Sequence, residues 1–267
     1  MLDIFIPTLG RANKQRTLFH LPPEVRKRVT LVLDPNDEEA NRGTYETVRR
    51  ETGCTLGVVP KANAGIAWTR EYIGKNLAGE KFLCLDDDLY FYHRIPGEFP
   101  KLAKNTHLDN RLMLKWVEES LDQYAHVGIS MRQNNNNPQK EKQDAYENDR
   151  FVRALAYRRA EFIRCKHNRV RVMEDFDISM QLITKGLPSF VIYRYCQDQG
   201  QTQSAGGCSA YRTHEVHAEA VKKFHSLWPK WTKIVEKNNV TGGAFGKRLE
   251  IQIQWKRAFK ESQARAA

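Results

Sequence analysis

Short apolar runs alternate with helix-like segments along the N-terminal third of the chain. Four runs have the length and composition of buried strands: residues 2–7, 29–33, 56–60 and 82–85. Residues 38–52 look helical, and in 65–77 the apolar residues recur at the spacing of one helix face. Because strands that alternate with helices build parallel sheets, we predict an α/β fold with a mostly parallel sheet flanked by helices.

The middle of the chain departs from this pattern. Residues 108–124 have the spacing of an amphipathic helix, and residues 126–131 have the pattern of another strand. The next segment, 132–150, contains four consecutive asparagines and too few apolar residues to pack. We predict a mobile loop here. It is either a disordered connector or a lid or other functional loop, since long loops in compact domains often carry function.

The last part of the chain predicts a second, shorter series of elements. Structure returns over 151–162. A helix, a strand, a polar loop and a second helix then follow, at residues 178–185, 188–195, 199–207 and 213–228. The tail beyond them is basic, and its sequence leaves its structure open.

Three consecutive aspartates, Asp86, Asp87 and Asp88, directly follow the strand predicted at 82–85. In parallel α/β sheets ligands bind beyond the carboxyl ends of the strands, so the triplet marks the expected crevice. Adjacent carboxylates repel one another and gain most from a divalent cation with oxygen ligands. The pattern therefore indicates a metal or ligand site, with a solvated acidic turn as the alternative.

The composition bounds the class of protein. The 267 residues suit one sizeable domain, with or without an appendage. With 40% hydrophobic and 28% charged residues, the chain has a globular composition and contains no membrane-length apolar run. Its start resembles a strand rather than a signal peptide. The five cysteines lack paired spacing, which argues against a disulfide framework or structural zinc and favours the cytoplasm.

The net charge of the chain indicates which class of partner it binds. Lys and Arg outnumber Asp and Glu by 43 to 32, for a net charge of +11. Such an excess favours a polyanionic partner, with nucleic acid first, although a basic surface also serves solubility alone. The first turn lacks the G-x-G-x-x-G signature of dinucleotide folds, and no Walker A sequence is present. These features weigh against an oxidoreductase and an NTPase.

The order of the motifs resembles the nucleotide-sugar glycosyltransferases of the GT-A fold, a Rossmann-like α/β architecture. The matching pieces are Pro7-Thr8 with Arg11, Asp34, Asn63 with Arg70, the aspartate triplet, and Glu174-Asp175-x-Asp177. The resemblance implies that Asp86 and Asp88 hold Mn²⁺ or Mg²⁺ on the diphosphate of a UDP-sugar donor.

The same resemblance implies contacts to the donor nucleotide. They come from residues that follow the first strands: Pro7, Thr8, Arg11, Asp34, Asn63, Arg70, Asp86 and Asp87. Arg11 and Arg70 would contact phosphate, and Asp34 would hydrogen-bond to the base. The structural alternatives are a turn former at Asp34, a helix-surface charge at Arg70 and a helix cap at Asn63.

An acidic pair, Glu174 and Asp175, precedes the helix predicted over 178–185. In the resembling enzymes the aspartate at this place accepts the proton of the acceptor hydroxyl. Asp175 is therefore the predicted general base, with Glu174 as the second candidate. Helix capping and interaction with the helix dipole are the structural alternatives, and Asp177 is interpreted as a cap.

Two histidines, His214 and His217, share a face at the start of the helix predicted over 213–228. The resemblance implies that one of them completes the metal shell, with ordinary surface histidines as the alternative. Gly206 and Gly207 either bring backbone N–H groups to phosphate or form a plain turn.

A basic stretch upstream of the acidic pair suits a nucleic-acid backbone, with solvated surface charge as the alternative. The predicted DNA contacts, which include two residues of the tail, are Arg158, Arg159, Arg164, Lys166, Arg169, Arg171, Lys247 and Arg248. Trp68, Trp228 and Trp231 are predicted to pack in cores. Trp255 either packs likewise or stacks on a base.

Four segments resemble, more narrowly, the bacteriophage TET-associated glycosyltransferases. They are the Pro-Thr-Leu-Gly-Arg start, the Asp86-Asp-Asp-Leu segment, Met173-Glu-Asp-Phe-Asp177 and the Gly246-Lys-Arg tail. The resemblance implies transfer of a sugar from a UDP-sugar to the hydroxymethyl oxygen of 5-hydroxymethylcytosine or 5-hydroxymethyluracil in double-stranded DNA. One aspartate base implies inversion. The implied domains are a nucleotide-sugar-binding and catalytic domain over 1–200 and an extension over 201–267 that completes the active site and contacts DNA.

Other classes of function stay open at this point. They are a glycosyltransferase for a protein, lipid or glycan, a nucleotidyltransferase with a similar paired-acid site, and a DNA-binding module without catalysis. UDP release stimulated only by hydroxymethylated DNA separates the first from a DNA glycosyltransferase. Pyrophosphate release identifies the second, and metal-independent binding without turnover identifies the third. No membrane and no obligate protein partner are expected.

Overall fold

A computed structural model describes residues 1–98, 100–132, 143–199, 213–238 and 247–266. The strands are β1 (Leu2–Thr8), β2 (Val29–Leu33), β3 (Thr55–Val58), β4 (Lys81–Leu85), β5 (Leu89–Arg94), β6 (Leu102–Lys104), β7 (His126–Met131), β8 (Ala145–Glu147), β9 (Ala154–Arg158), β10 (Ser189–Gln199), β11 (Thr232–Asn238) and β12 (Lys247–Ile253). The helices are α1 (Arg16–His20), α2 (Pro23–Arg26), α3 (Pro35–Thr52), α4 (Ile66–Tyr72), α5 (His107–Ser120), α6 (Arg159–Phe162), α7 (Glu174–Thr184), α8 (His214–Leu227) and α9 (Trp255–Ala266).

One mixed sheet runs through the molecule in the order β3-β2-β1-β4-β9-β7-β10-β5-β6, with β8 paired to β10. The strands β3, β2, β1 and β4 are mutually parallel, as their apolar runs predict. Antiparallel pairs join β4 to β9, β9 to β7 and β10 to β5. This arrangement confirms the predicted α/β fold and places the carboxyl ends of β1, β2 and β4 at one edge.

Three hydrophobic cores hold the molecule together. Two of them are built on the residues of the large sheet. The third joins α7 to the C-terminal elements, with Phe176, Met180 and Ile183 packed against residues of α8 and α9. The helix α7 also contributes Ile178 and Leu182 to a sheet core, so it is apolar on both sides and buried between two cores.

The long polar segment is only partly described, and part of it is ordered. Residues 133–142 of the predicted mobile loop lie outside the described residues. Residues 145–147 form β8, which pairs antiparallel with β10, so the predicted loop is wrong there. The reason is local packing: Tyr146 meets the ring of Tyr193 edge to face at 5.4 Å.

The helix that carries the acidic pair begins earlier than predicted. It starts at Glu174 rather than at residue 178, after Met173 in the left-handed region at a φ of 68°. Glu174 and Asp175 therefore lie inside its first turn, where negative charge is stabilised by the helix dipole. The strands β5 and β9 were not predicted, because their place in the sheet depends on partners far along the chain. The C-terminal hairpin of β11 and β12 was left open by the sequence, although residues 249–253 alternate between apolar and polar.

The tryptophans pack in the cores. Trp231 is buried, and Trp68 and Trp228 are partly buried against the cores, as predicted. Trp255 is buried too, and it meets Phe176 edge to face at 5.7 Å. Stacking of Trp255 on a nucleobase is therefore wrong.

None of the helices in the described part of the chain has the length and apolar character that a membrane crossing requires. Among the described residues, the cysteines Cys54, Cys84, Cys165 and Cys196 are free thiols in the interior.

One buried histidine predicts a pH-dependent stability. Neither ring nitrogen of His126 has a hydrogen-bond partner among the described residues, and burial lowers its pKa to about 3. In the unfolded chain His126 is protonated below about pH 6.5, whereas in the folded chain it stays neutral until about pH 3. The free energy of unfolding therefore decreases as the pH falls below about 6.5. We expect His126→Leu to remove a slope of about 1.4 kcal/mol per pH unit between pH 6 and 4, measured by urea unfolding.

The matched control is His107→Leu, which changes an exposed histidine at the start of α5. It should leave the pH dependence of the unfolding free energy as it is in the parent chain. An unchanged slope in His126→Leu would mean that His126 is protonated in the folded state.

Candidate active site

The carboxyl ends of β1 and β4 bring the aspartate triplet beside the first loop. The two strands are parallel, and the register sets Phe5 opposite Cys84. Thr8, the last residue of β1, and Asp86–Asp88, which follow β4, therefore lie at the same edge of the sheet. This edge is where the sequence predicts the ligand crevice.

Asp87 anchors the first loop rather than facing the crevice. It is only 4% exposed; its Oδ2 accepts a hydrogen bond of 2.7 Å from the Thr8 hydroxyl, and its Oδ1 accepts one of 2.7 Å from Arg11. Burial raises the pKa of Asp87 to about 6, against the opposite effect of Arg11 and Thr8. The structure thus brings together these three predicted nucleotide contacts, but it directs them at one another.

One carboxylate oxygen of Asp88 is hydrogen-bonded, and the other, which we call the vacant oxygen, has no hydrogen-bond partner among the described residues. Its Oδ2 accepts hydrogen bonds from Arg11 at 3.0 Å and from Gln199 at 2.8 Å. Its Oδ1 is buried and has no hydrogen-bond partner among the described residues. A fixed carboxylate with one unsatisfied oxygen fits a divalent cation, which prefers hard oxygen ligands.

Gln199 was not predicted from the sequence. It stands at the end of β10, and the antiparallel register sets it opposite Leu89, the residue after Asp88. The polar pattern around residue 199 reads as a loop, so only the pairing of β10 with β5 reveals this contact.

Arg70 connects the triplet to the acidic pair. Its Nη2 donates to Asp86 Oδ1 at 2.7 Å, and its Nη1 forms a short ion pair with Glu174 Oε1. Burial by itself lowers the pKa of Arg70, but the carboxylates of Glu174 and Asp86 outweigh it and raise that pKa. Arg70 is 9% exposed, so the alternative of a helix-surface charge is wrong.

Asp86 is the more exposed of the two acids that the resemblance assigns to the metal. Its side chain is 29% exposed, whereas that of Asp88 is 8% exposed. Desolvation raises the pKa of Asp86, and Arg70 opposes the shift. One oxygen of Asp86 is engaged by Arg70, which leaves the side chain anchored and partly open to the crevice.

Glu174 and Asp175 line one pocket together with Arg70 and Tyr157. The Oδ1 atom of Asp175 accepts the backbone N–H of Phe176 at 2.9 Å, so the carboxylate is fixed at the helix N-terminus. The pocket is partly open, and its acids project from a helix that two cores hold rigidly. Such a carboxylate can accept a proton from a bound hydroxyl.

Asp177 has a structural function of another kind. It is 2% exposed, and its carboxylate pairs with Arg169 at 2.5 and 2.9 Å and accepts the indole N–H of Trp228 at 2.9 Å. Gln181 adds a hydrogen bond of 3.1 Å. The interpretation of Asp177 as a helix cap is wrong; it ties α7 to the preceding loop and to the end of α8.

Asp34 and Asn63 lie on the other side of the crevice. Asp34 caps α3: its Oδ1 accepts from the backbone N–H of Asn36 at 3.1 Å, and its Oδ2 accepts from that of Asn63 at 2.5 Å. Asn63 sits in a left-handed turn at a φ of 53°, and the N-cap of α4 is Gly65. Asn63 is therefore not a helix cap, and Asp34 fixes the turn that contains it.

The two histidines lie in the first turn of α8. His217 Nε2 lies 3.0 Å from the carbonyl oxygen of Leu249 and 3.8 Å from Glu250, so it packs on the C-terminal hairpin. His214 is the first residue of α8, next to the capping Thr213. Within the described ranges no three or more His, Cys, Asp or Glu side chains are grouped to hold a metal. Gly206 and Gly207 lie outside the described residues.

Three predicted DNA contacts are engaged inside the fold. Arg158 pairs with Glu161, Arg159 donates to the carbonyl oxygens of Gly74 and Lys75, and Arg169 binds Asp177. The side chains of Arg164, Lys166 and Arg171 are exposed. In β12, Lys247 is the first residue, and Arg248 lies 2.7 Å from Glu250. The basic stretch is therefore not one continuous surface.

Residues 2–207, which are most of the chain, match the family of TET-Associated Glycosyltransferases. A similar protein of Enterobacteria phage T6, named beta-glucosyl-HMC-alpha-glucosyl-transferase, is 22% identical over 255 residues, with 91% of this chain and 88% of the phage protein covered.

Solved structures agree on the fold. Glucosyl-3-phosphoglycerate synthase from Mycobacterium tuberculosis, in complex with Mg²⁺ and UDP, superposes with a TM-score of 0.53 at 10% identity, over 94% of this chain and 87% of that one. TarS of S. aureus (residues 1–349, with UDP-GlcNAc) gives a TM-score of 0.51 at 17% identity, over 84% of this chain and 66% of that one, just under two-thirds of its length. The extent of the family match decides the classification: this chain belongs to the TET-associated glycosyltransferases and is a glycosyltransferase of the GT-A fold.

Proposed function

We propose that the protein transfers a sugar from a UDP-sugar to the hydroxymethyl oxygen of 5-hydroxymethylcytosine in double-stranded DNA. The similarity to a phage enzyme named for hydroxymethylcytosine, over 91% of this chain, is the observation that carries the acceptor. The net charge of +11 supports a polyanionic acceptor. 5-Hydroxymethyluracil presents the same hydroxymethyl group and is the variant acceptor.

Two aspartates form the donor side of this proposal. Asp88 offers its vacant Oδ1, and the partly exposed Asp86 stands two residues before it. When bound, Mn²⁺ or Mg²⁺ would neutralise the charge that develops on the departing diphosphate. Arg11 and Gln199 keep Asp88 oriented, as supporting residues do around metal ligands.

Asp175 forms the acceptor side. Its carboxylate takes the proton of the acceptor hydroxyl, the oxygen forms a bond to the anomeric carbon, and the bond from that carbon to the diphosphate breaks, releasing UDP. Direct displacement of this kind inverts the anomeric carbon. Arg70 ties Asp86 to Glu174 and thereby fixes the distance between the donor side and the helix that carries the base.

A second candidate acceptor has one observation in its favour. The name of the phage T6 relative includes a hydroxymethylcytosine that already bears a glucose. A sugar hydroxyl offers the same nucleophile to Asp175, so the chain would then extend an existing modification instead of starting it.

The deciding experiment is mass spectrometry of nucleosides after incubation with Mn²⁺ and a panel of UDP-sugars. The substrates are duplexes with cytosine, 5-hydroxymethylcytosine, 5-hydroxymethyluracil or glucosylated hydroxymethylcytosine. We expect a gain of one sugar mass on hydroxymethylcytosine and none on cytosine. A gain restricted to the glucosylated duplex supports the second candidate, and no gain on any duplex contradicts both.

A further inference from the structure

Two tyrosines of β5 lie on the sheet just beyond the aspartate triplet. Tyr90 and Tyr92 follow Asp88 by two and four residues, which is roughly 7 and 14 Å along an extended strand. Since side chains alternate along a strand, both tyrosines project from the same face. They are partly exposed, whereas Leu89 and Phe91, which alternate with them, are buried in a core.

Each tyrosine has an arginine beside its ring. The Cζ atom of Arg16, from α1, lies 5.5 Å from the ring centroid of Tyr90. The Cζ atom of Arg132, at the end of β7, lies 5.9 Å from that of Tyr92. We call these four residues, Arg16, Tyr90, Tyr92 and Arg132, the tyrosine platform.

The platform is adjacent to the reacting centre. The β10 register sets Asp198 opposite Tyr90 and Gln199 opposite Leu89. Gln199 donates to Asp88, so the strand that borders the platform also holds the candidate metal ligand. A DNA strand that lies on the platform is therefore close to Asp88, the candidate metal ligand of the donor side.

The charges of the platform are available to a ligand. Arg16 is exposed and forms no ion pair with any described residue. Arg132 pairs with Asp198 at 2.8 Å, but its side chain is 56% exposed. Arg158 and Arg169, by contrast, already bind carboxylates of the fold. Arg16 and Arg132 thus place exposed cations next to aromatic rings beside β5.

On the basis of the proposed function, we propose that the tyrosine platform binds the DNA strand that carries the acceptor base. Bases of that strand that are turned out of the duplex stack on Tyr90 and Tyr92, because every nucleobase has a π face. Phosphates contact Arg16 and Arg132, whose positions beside the rings keep cation and stacking surface together. A protein or glycan acceptor has no regular row of phosphates to match these charges.

The test compares two double variants of the tyrosines in the full chain. Tyr90→Leu with Tyr92→Leu removes the rings, and Tyr90→Phe with Tyr92→Phe keeps them. We expect the leucine variant to weaken binding of a hydroxymethylated duplex roughly 10-fold or more, measured by fluorescence anisotropy, and to raise the KM for DNA similarly. The phenylalanine variant should bind like the parent chain, and UDP binding should be unchanged in both.

The arginines are tested by salt dependence, which does not rely on packing. Arg16→Gln and Arg132→Gln should each reduce the slope of log affinity against log salt by about one. Tyr124→Leu and Arg111→Gln, which change a partly exposed tyrosine and an exposed arginine of the α5 region, are the matched controls. They should leave DNA affinity and the salt slope as they are.

The outcomes separate the platform from the proposed function. If the parent chain glycosylates DNA but the leucine variant and the arginine variants bind it normally, the platform is wrong and the proposed function stands. If the parent chain puts no sugar on any duplex, the proposed function is wrong, and unchanged anisotropy of the variants then also contradicts the platform. A leucine variant that fails to fold leaves the arginine salt slopes to decide.

Discussion

Asp88→Asn should reduce sugar transfer by about 1,000-fold or more, since metal stabilisation of the leaving diphosphate is worth several kcal/mol. The change keeps the shape of the side chain but removes the charge from the vacant Oδ1. The fold should survive, because Arg11 retains its contact of 2.7 Å to Asp87. The measurements are kcat/KM for transfer, Mn²⁺ binding by electron paramagnetic resonance in the presence of UDP, and thermal unfolding.

Two further variants calibrate this result. Gln199→Leu leaves the vacant oxygen in place but removes one of the two groups that orient it, so Mn²⁺ affinity should fall by about 10- to 100-fold. Asp122→Asn changes a surface acid that is 68% exposed and paired with Lys81, and it should have no effect on either measurement. Normal Mn²⁺ binding by Asp88→Asn would remove Asp88 from the metal site.

Asp175→Asn should lower kcat by about 100- to 10,000-fold, the usual contribution of a general base. The KM for the UDP-sugar and the binding of Mn²⁺ should stay close to those of the parent chain, because Asp175 belongs to α7 whereas the triplet follows β4. Its backbone contact to Phe176 can be kept by the amide oxygen, so the helix start is preserved. Steady-state kinetics with varied donor and varied DNA separate kcat from both KM values.

The matched contrast is Asp177→Asn in the same helical turn. It leaves Arg169 without a charged partner in a buried network, and the expected loss is stability, by about 3–5 kcal/mol, rather than chemistry. Glu174→Gln tests the second candidate for the base. Full kcat in Asp175→Asn together with a large loss in Glu174→Gln would transfer the role of base to Glu174.

The sequence was most informative where the signal is local. Apolar runs at 2–7, 29–33 and 82–85 predicted β1, β2 and β4 to within a few residues. The helix predicted to begin near Thr213 is α8, and the structure shows that the Thr213 hydroxyl caps its first turn. Local rules failed at β5 and β9, whose place in the sheet depends on partners far along the chain.

The candidate site was predicted as a set of residues but not as a set of contacts. Arg70 was expected at the donor nucleotide, and the structure pairs it with Asp86 and Glu174. Arg169 was expected on DNA, and a buried carboxylate holds it instead. The partner of a charged group depends on which groups lie near it in the folded chain. Such groups can be far apart in the sequence: Gln199 and Asp88, which form a hydrogen bond, are separated by more than a hundred residues.

The sequence by itself determined the fold class, the family resemblance and the carboxylates at the end of β4, because strand periodicity and clustered like charges are properties of neighbouring residues. Only the tertiary structure decided that both oxygens of Asp87 are hydrogen-bonded, whereas Oδ1 of Asp88 has no partner among the described residues. That difference follows from the packing of β1, β4, β5 and β10 around one edge, where Arg11 and Gln199, which lie far apart in the sequence, both hydrogen-bond to Asp88.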